Sequence, residues 1–474
     1  KRARDDDRHW SAKRLDEMKE RDWRIFKEDF QISTRGTQIP WPLRAWDDAG
    51  PDGRPVIPAH LVRIIARIGY TAPSPIQRQA IPIGMQNRDI IGIAETGSGK
   101  TAAFVIPMLA LMDRLRRPRR RPDSRGSSIN HDHDIDIDID DDDDAAATRG
   151  PYALILAPTR ELAQQIEAET AKFCAPLGYR CTSIVGGHAM AEQTDALRHG
   201  CHVVIATPGR LRDCLDRRVL VLNQCTYVVM DEADRMIDMG FEPDVTAILN
   251  ALPATTAKPA DGPEHADARP PSTVYRQTVM FSATMPPSVE RLARTYLQRP
   301  AIVTVGTAGQ AVDRIVQSVE VIPSEPRKLA RLARLITSRT WPGPILVFVN
   351  QKRQCDVVTS ALEHEARLRV ASLHGGKTQA LREQALQTIR DGQRQVLVAT
   401  DVAGRGIDIK DVALVVNFDV PKSIEDYTHR IGRTGRAGRA GAAVTFVTPG
   451  IDDALMPALY QMLRASPTSV MPPE

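Results

Sequence analysis

The chain has 474 residues, of which 42% are hydrophobic and 26% are charged, a composition that excludes a disordered or fibrous protein and allows two or three folded domains. No apolar run approaches the roughly 20 residues of a membrane-spanning helix and no signal peptide is visible, so no membrane association is expected. The formal net charge is +4 although nine aspartates stand in residues 131–144, and the basic remainder suits a polyanionic partner.

The cysteines are scattered, with no C-x-x-C pair and no metal-ligand spacing. They are Cys174, Cys181, Cys201, Cys214, Cys225 and Cys355. This pattern favours reduced thiols over a disulfide or zinc framework.

The first 45 residues are rich in charged and aromatic side chains. Their pattern predicts a helix followed by an extended arm, so we treat 1–45 as an N-terminal extension.

The segment AETGSGKT (94–101) follows the apolar run DIIGI. Glycines let backbone N–H groups close around phosphate oxygens, Lys100 supplies a cation, and the Thr101 hydroxyl can bind Mg²⁺. The first position of the P-loop pattern is Ala94 instead of glycine. A strand before the segment and a helix after it still favour a nucleotide-binding P-loop.

Two segments lack a core-forming pattern. Residues 113–150 hold a basic block followed by the aspartate run, and residues 253–273 are rich in proline and alanine. Both are expected to be disordered insertions. A cation site formed by His131, His133 and the aspartates is the less favoured alternative for the first.

One pattern recurs along the rest of the chain: a short apolar run, then polar glycine-rich sequence, then a helix-like stretch. It occurs in ALILAPTREL, VVIATPGRL, YVVMDEAD, TVMFSAT, ILVFVNQKR, QVLVATDVAGRG, LVVNFD and AVTFVT. Strands alternating with helices predict α/β domains with mostly parallel sheets flanked by helices. Such sheets bind ligands beyond the carboxyl ends of their strands, which is where the polar clusters stand.

Three acids, Asp231, Glu232 and Asp234, follow the strand-like run YVVM. In a P-loop nucleotide hydrolase the acid that ends a later strand holds Mg²⁺, and the next carboxylate orients or deprotonates the attacking water. We therefore expect Asp231 to serve the metal and Glu232 the water. An acidic turn that only caps the next helix is the alternative, which the P-loop disfavours.

These residues belong to a longer ordered set of motifs. The set is GYTAPSPIQ (69–77), the P-loop, PTREL (158–162), GG (186–187), TPGR (207–210), DEAD (231–234), SAT (282–284), VFVN (347–350), QALR (379–382), TDVAGRGID (400–408) and HRIGRTGR (429–436). It resembles the motifs of the DEAD-box RNA helicases, in their order. The resemblance implies a superfamily 2 helicase core of two RecA-like P-loop domains, expected at 46–307 and 308–474.

The resemblance also implies an ATP and Mg²⁺ site. Gln77 offers a donor and an acceptor that match the N6 and N7 edge of adenine, Tyr70 can stack on the base, and Asp408 would lie near the ribose. The phosphate-binding residues would be Thr96, Gly97, Ser98, Gly99, Lys100 and Thr101, with Thr101 and Asp231 as metal ligands. Trp46 stands where the family usually has a phenylalanine ahead of this motif.

Arg433 and Arg436 are three residues apart, which predicts that they share one face of a helix. By resemblance they are arginine fingers that reach the ATP of the first domain from the second. A basic patch for phosphates is the alternative for this run.

The RNA side follows from the same resemblance. Backbone amides, short hydroxyls and arginines suit a grip on phosphates and 2′-hydroxyls that is independent of sequence. The expected contacts are Pro158, Thr159, Arg160, Gly187, Thr207, Gly209, Arg210, Arg382 and Thr400. The expected coupling residues, which relate nucleotide state to strand separation, are Asp234, Ser282, Thr284 and His429.

The N-terminal stretch and several core segments, such as DRMIDMGFEPDV, resemble family members that act in pre-mRNA splicing. This implies an RNA-stimulated ATPase that locally unwinds short duplexes during snRNA exchange at the 5′ splice site. The implied partners are pre-mRNA, snRNA and snRNP proteins in the nucleus, with a monomeric core. An ATP-gated RNA clamp with rare turnover, or a helicase of another RNA pathway, remains the alternative.

Overall fold

The computed structural model describes residues 8–95, 97–116, 150–187, 193–195, 197, 200–254, 258, 275–306, 315–338, 340–364, 366–401, 409, 411–435, 441–466 and 468–470. The chain forms two compact units. The first is Lys1–Gly92 with Gly99–Val303, and the second is Ile93–Ser98 with Thr304–Glu474.

An eight-stranded sheet in the order β1-β8-β2-β7-β6-β3-β5-β4 lies at the centre of the first unit. Its strands are β1 (Ile32–Arg35), β2 (Ile90–Ile93), β3 (Ala153–Leu156), β4 (Cys181–Ile184), β5 (Val203–Ala206), β6 (Tyr227–Met230), β7 (Gln277–Ser282) and β8 (Ala301–Val305). Strands β4, β5, β3, β6 and β7 pair in parallel, in that order. Their carboxyl ends therefore lie along one edge of the sheet.

Helices connect and flank these strands. They are Glu20–Asp29, Ala59–Ile68, Pro75–Met85, Lys100–Arg116, Arg160–Cys174, Pro208–Asp216, Ala233–Asp238, Glu242–Asn250 and Pro287–Tyr296, with single 3-10 turns at Trp10–Ala12, Leu15–Glu17 and Ala175–Leu177. Helix Pro75–Met85 packs closely on Lys100–Arg116, because a Cβ at Gly84 would lie 2.7 Å from the ring of Pro107. This close packing holds the GYTAPSPIQ motif beside the helix that begins with Lys100.

The first predicted insertion begins later than the sequence suggests. Residues 113–116 are the last turn of helix Lys100–Arg116, so their assignment to a disordered segment is wrong. Asp113 is anchored there by contacts with His60 at 2.5 Å and Tyr179 at 2.8 Å. Residues 117–149, with the aspartate run, and all but three residues of 253–273 lie outside the described part of the chain.

The N-terminal segment packs against the rest of the first unit. The predicted helix and extended arm correspond to helix Glu20–Asp29 and edge strand β1. Arg78, in helix Pro75–Met85, donates to the carbonyl oxygens of Leu43 and Arg44 at 3.0 and 2.7 Å. Its guanidinium also lies 4.2 Å from the ring centre of Phe30. The segment therefore packs against the helix that carries Gln77 and stabilises its position.

The second unit has a six-stranded sheet in the order β11-β12-β10-β13-β14-β9, and each neighbouring pair is parallel. Its strands are β9 (Ile315–Val321), β10 (Ile345–Val349), β11 (Val370–Leu373), β12 (Val396–Thr400), β13 (Leu414–Asn417) and β14 (Gly441–Val447). Its helices are Glu325–Thr337, Lys352–His364, Gln379–Arg390, Ile424–Ile431 and Met456–Ala465, with a 3-10 turn at Asp453–Leu455.

This sheet has a hydrophobic core on each face. In β10, Leu346 and Phe348 belong to one buried cluster, whereas Ile345, Val347 and Val349 belong to the other. Successive side chains of a strand point to opposite faces, and a parallel sheet needs both faces covered. The eight strand-like runs found in the sequence are all strands here, which confirms the predicted α/β class.

All six cysteines carry free thiols and five of them are buried. Among the helices of the described ranges, none is long and apolar enough to cross a membrane.

Candidate functional site

The three acids of residues 231–234 stand at the carboxyl end of β6 and are all buried. Glu232 adopts φ 52° and ψ 52° and serves as the N-cap of helix Ala233–Asp238. This left-handed conformation is uncommon for a residue other than glycine. The sharp turn separates the three carboxylates, so that each has its own surroundings.

Asp234 is bound by the end of the neighbouring strand β7. Its N–H donates to Ser282 Oγ at 3.2 Å. Its carboxylate accepts from Ala283 N, Thr284 N and Thr284 Oγ1 at 3.2, 2.9 and 2.8 Å. The structure thus brings together three of the predicted coupling residues, Asp234, Ser282 and Thr284.

Asp231 faces the P-loop lysine. Lys100 Nζ lies 3.9 Å from Asp231 Oδ1, and both side chains are buried. The pKa of Asp231 is raised to about 6, mainly by burial and also by the carboxylates of Glu232 and Asp234, while Lys100 opposes the rise. A divalent cation at this carboxylate would offset the repulsion among the acids.

The donor set suits Mg²⁺. Thr101, in the first turn of helix Lys100–Arg116, and Asp231 offer a hydroxyl and a carboxylate oxygen. Across the described ranges, no group of three or more His, Cys, Asp and Glu side chains could hold a metal ion. Mg²⁺ does not require such a cage, because substrate phosphates and water usually complete its octahedron.

Gln77 ties its helix to the P-loop. Its Oε1 accepts from Ser74 N at 2.8 Å, and its Nε2 donates to Gly99 O at 2.9 Å. Counted over the described residues, these bonds use half the capacity of a side-chain amide, which leaves one acceptor and one donor position for a ligand. Gly97 and Ser98 complete the described part of the loop, whereas Thr96 lies outside the described residues.

Tyr70 and Trp46 lie side by side. Their ring centres are 6.4 Å apart with an interplanar angle of 26°. The Tyr70 hydroxyl donates to the carboxylate of Glu169, and burial raises the pKa of Tyr70. Trp46 is buried, so this tryptophan is part of the wall beside Tyr70.

Two predicted RNA-binding loops begin helices at neighbouring strand ends. Thr159, after Pro158, caps helix Arg160–Cys174, with its Oγ1 accepting from Leu162 N at 3.3 Å. Thr207 directly precedes helix Pro208–Asp216, whose first turn contains Gly209 and Arg210. The preceding strands β3 and β5 are adjacent and in register. Helix N-termini present unpaired N–H groups suited to phosphate.

Arg160 packs against the glycine pair. A Cβ at Gly187, where φ is 86°, would lie only 2.0 Å from Arg160 Nη1, and one at Gly186 would lie 3.0 Å from Nη2. Only glycine leaves room for the guanidinium here. The structure thereby joins the PTREL and GG motifs, which are 24 residues or more apart in the sequence.

The predicted residues of the second unit stand at several places. Thr400 ends β12 and is buried, Arg382 lies in helix Gln379–Arg390, and His429 lies in helix Ile424–Ile431. Asp408 and Arg436 lie outside the described residues.

The prediction that Arg433 lies on a helical face is wrong. The helix ends at Ile431, with Gly432 as its C-cap. Arg433 N and Thr434 N donate to Arg430 O and Ile431 O at 3.1 Å each, so the chain tightens into a turn. Glycine is a poor helix former, which explains the early end.

Sequence reasoning missed two buried arginines. Arg430 binds Asp401, Asn350 and the carbonyl oxygen of Asp419, and Arg235 pairs with Glu232. Arg430 lies within the motif HRIGRTGR and Arg235 directly follows DEAD. The sequence alone does not show which arginine of such a segment is buried. The sequence signal that could have identified these arginines is an acidic residue at the end of a buried strand, because such a carboxylate needs a cation as its partner.

Comparisons with known proteins agree with the motifs. The family model described as "DEAD/DEAH box helicase" matches residues 74–292, and the "Helicase conserved C-terminal domain" matches residues 327–438.

Curated relatives include splicing proteins of fungi. The chain is 53% identical over 474 residues to the pre-mRNA-splicing ATP-dependent RNA helicase PRP28 of Cryptococcus neoformans, covering 100% of this chain and 60% of that protein. It is 52% identical over 469 residues to prp28 of Aspergillus clavatus, covering 99% and 55%. The chain thus spans little more than half the length of these relatives.

Solved structures are also similar to this chain in sequence and fold. The yeast DEAD-box splicing factor Prp28 is 40% identical with a TM-score of 0.53, and the match covers 98% of this chain and 96% of that one. Dbp5 of S. cerevisiae bound to RNA and ADP BeF3 is 27% identical with a TM-score of 0.68, covering 88% and 94%.

Proposed function

This chain belongs to the DEAD-box family of helicases, with its two RecA-like domains, and we propose that it is an RNA-stimulated ATPase that locally unwinds short RNA duplexes. The observation that carries the proposal is the meeting of Lys100, Asp231 and Glu232 in the first unit, with Lys100 Nζ 3.9 Å from Asp231. A phosphate-binding cation, a metal-binding acid and a second acid are the parts that phosphoryl transfer to water requires.

ATP is the proposed nucleotide. In the first domain, taken as residues 46–307, the P-loop residues would bind the phosphates and Lys100 would neutralise their charge. The free donor and acceptor of Gln77 would read adenine, and Tyr70 would pack on the base. Asp408 would contact the ribose. The buried position of Gln77 supports this assignment, because an amide held on two sides has one fixed orientation.

Mg²⁺ is the proposed metal, held by Thr101 and Asp231. When bound, it would neutralise charge on the phosphate oxygens. Glu232 would orient the water whose oxygen bonds to the γ-phosphorus while the bond from that phosphorus to ADP breaks. Arg433 and Arg436 of the second domain, taken as residues 308–474, would stabilise the charge that develops on the γ-phosphate.

RNA is the proposed substrate, gripped by its backbone. Helix N-termini at Thr159 and Thr207 and the guanidinium of Arg160 suit phosphate oxygens. The remaining contacts would be Pro158, Gly187, Gly209, Arg210, Arg382 and Thr400. The Asp234, Ser282 and Thr284 network, together with His429, would relay nucleotide state to this grip.

Pre-mRNA splicing is the proposed pathway. The support is similarity over the whole chain to helicases named for pre-mRNA splicing. We infer that the chain acts in the nucleus on pre-mRNA and snRNA at the 5′ splice site, among snRNP proteins and with a monomeric helicase core.

The enzymatic proposal is tested by phosphate release from ATP by the 474-residue chain with and without RNA. RNA should stimulate release, EDTA should abolish it, and Glu232→Gln should lower turnover by about 100-fold or more while ATP-dependent RNA binding remains. Glu290→Gln, at an exposed glutamate, is the matched control and should behave as wild type. Tight ATP-dependent RNA binding without stimulated release would instead identify an RNA clamp.

The pathway is tested separately by crosslinking in nuclear extract. Contact with pre-mRNA at the 5′ splice site is expected. Crosslinks confined to other RNAs would assign the helicase to another pathway and would leave the enzymatic proposal intact.

A further inference from the structure

Arg235 follows the acidic cluster and is itself buried. Its side chain is 1% exposed, and its Nε lies 3.5 Å from Oε2 of Glu232, whose side chain is 3% exposed. Its three guanidinium nitrogens have no hydrogen-bond partner in the part of the chain that the structure describes. A buried guanidinium with so few contacts is unfavourable, and an apolar side chain of similar volume would often be at least as stable. Fold stability therefore does not explain this arginine.

Arg235 contacts Glu232 at two points. Its main-chain N–H donates to the Glu232 carbonyl oxygen at 3.0 Å, and its guanidinium pairs with the Glu232 carboxylate. The left-handed backbone of Glu232 is a strained conformation that persists only where its surroundings hold it, often at functional sites. The two contacts together restrain both the backbone and the side chain of Glu232.

The neighbouring acids are held mainly by other groups, although the main-chain N–H of Arg235 also donates to Asp234 Oδ1 at 3.0 Å. Asp231 accepts from Glu232 N at 3.0 Å and faces Lys100. Asp234 accepts from Ala283 and Thr284. The two buried cations are thus divided between the acids: Lys100 faces Asp231, and Arg235 faces Glu232. The pairing gives the Glu232 carboxylate an orientation that its strained backbone alone does not determine.

We propose that Arg235 is a positioning residue for Glu232, whose guanidinium fixes the carboxylate in the orientation that holds the attacking water. This inference rests on the proposed hydrolytic function and deepens it. Because Arg235 acts only through Glu232, its loss should slow the chemical step and leave the binding of ATP and RNA unchanged.

The test compares kcat and KM of RNA-stimulated hydrolysis in Arg235→Met, Arg235→Lys and the wild-type chain. Arg235→Met should lower kcat by about 10- to 100-fold, since a small misplacement of a reacting group has an effect of this size. The KM for ATP and the affinity for RNA should each change less than about threefold, because Arg235 is not placed in contact with either ligand. Arg235→Lys keeps the charge but not the planar fork, so it should recover part of kcat. Arg294→Met removes an exposed arginine–glutamate pair with Glu290 at 2.7 Å and should leave both constants unchanged.

A second measurement separates positioning from general stability. Single-turnover hydrolysis is compared in Glu232→Gln with and without Arg235→Met, where the arginine substitution should cause less than a twofold further loss. Equal losses in both backgrounds, or kcat and KM altered together, would show a merely structural role. If Arg235→Met is insoluble, wild-type kcat in Arg235→Lys would overturn the inference. A wild-type chain without RNA-stimulated turnover would instead refute the proposed function itself, and the positioning role with it.

Discussion

The guanidinium of Arg430 holds the carboxylate of Asp401 with two hydrogen bonds, Nε to Oδ1 and Nη2 to Oδ2, each 2.6 Å long. The same side chain donates to Asn350 Oδ1 at 2.7 Å and to Asp419 O at 2.7 Å. It therefore joins the ends of β10 and β12 to helix Ile424–Ile431. Three sequence motifs of the second unit meet on one buried side chain.

Arg430→Lys should destabilise the second unit by about 2–3 kcal/mol, because lysine cannot reproduce the bidentate fork and the carboxylate stays partly buried. Hydrogen exchange of β10 and β12 in denaturant measures the loss within this unit. Arg394→Lys is the control, since its pair with Glu363 is exposed and should change stability by less than about 1 kcal/mol. Equal losses of stability in the two variants would contradict the role of Arg430 in joining the ends of β10 and β12 to its helix.

Gln77→Ala should raise the KM for ATP by about tenfold and reduce discrimination against GTP, because the variant loses about 1–1.5 kcal/mol of hydrogen bonding to the base. Steady-state kinetics with both nucleotides measure the effect. Gln79, in the same helix, is also buried and donates to Pro40 O at 2.9 Å. Gln79→Ala should lower stability but leave the ratio of ATP to GTP turnover unchanged, and a shift in that ratio would argue against base recognition by Gln77.

Gly187→Ala should weaken RNA binding by about tenfold, because the new Cβ displaces the Arg160 guanidinium from its place. The slope of log affinity against log salt concentration should fall by roughly one, because one contact between a cation and a phosphate is lost. Anisotropy with labelled RNA at several salt concentrations, with a nonhydrolysable ATP analogue, measures both quantities. Gly178 also has a positive φ, 71°, but a Cβ there meets nothing within 4 Å. Gly178→Ala should therefore leave RNA affinity unchanged. Equal losses of RNA affinity in the two variants would identify strain at a positive φ as the cause, and not the displacement of Arg160.

The buried pair of Lys13 and Asp22, 2.8 Å apart, should make the stability of the N-terminal segment depend on pH. The hydrogen bond from Lys13 holds the pKa of Asp22 below its usual value of 3.8, and the Lys19 N–H acts in the same direction. Since the folded pKa is lower than the unfolded one, the stabilisation is fully present above the unfolded value. It is lost as the pH falls through the folded pKa.

Fluorescence of Trp23, in the same helix, can follow unfolding of this segment in wild type and Asp22→Asn. The stability difference should be constant from neutral pH to about 5 and should shrink below about 4. Asp16→Asn alters an exposed pair with Arg14 and should show no such trend. A difference that stays constant into strong acid would exclude the ion pair as its cause.

Much of the molecule follows from local patterns. The run YVVM becomes β6 because apolar, β-branched and aromatic side chains favour a buried strand. The acids after it stand at a strand end for the same reason. The motif set likewise indicates the family, since each motif is a short contiguous string. Helix Lys100–Arg116 shows the limit: its last turn carries polar and basic residues, and it is held by contacts of Asp113 with His60 and Tyr179, which the local sequence does not show.

The sequence by itself determined the α/β class, the eight strands that coincide with the recurring apolar runs and the residues of the helicase motifs, because each depends on side chains that are close along the chain. Only the tertiary structure decided that Arg430 binds Asn350, 80 residues away, that Arg160 lies over Gly187, and that Arg235 faces Glu232 inside the protein. These relationships depend on which strands lie side by side and which side chains lose contact with water. A buried charge takes whichever partner the fold brings to it, and no local pattern states that partner in advance.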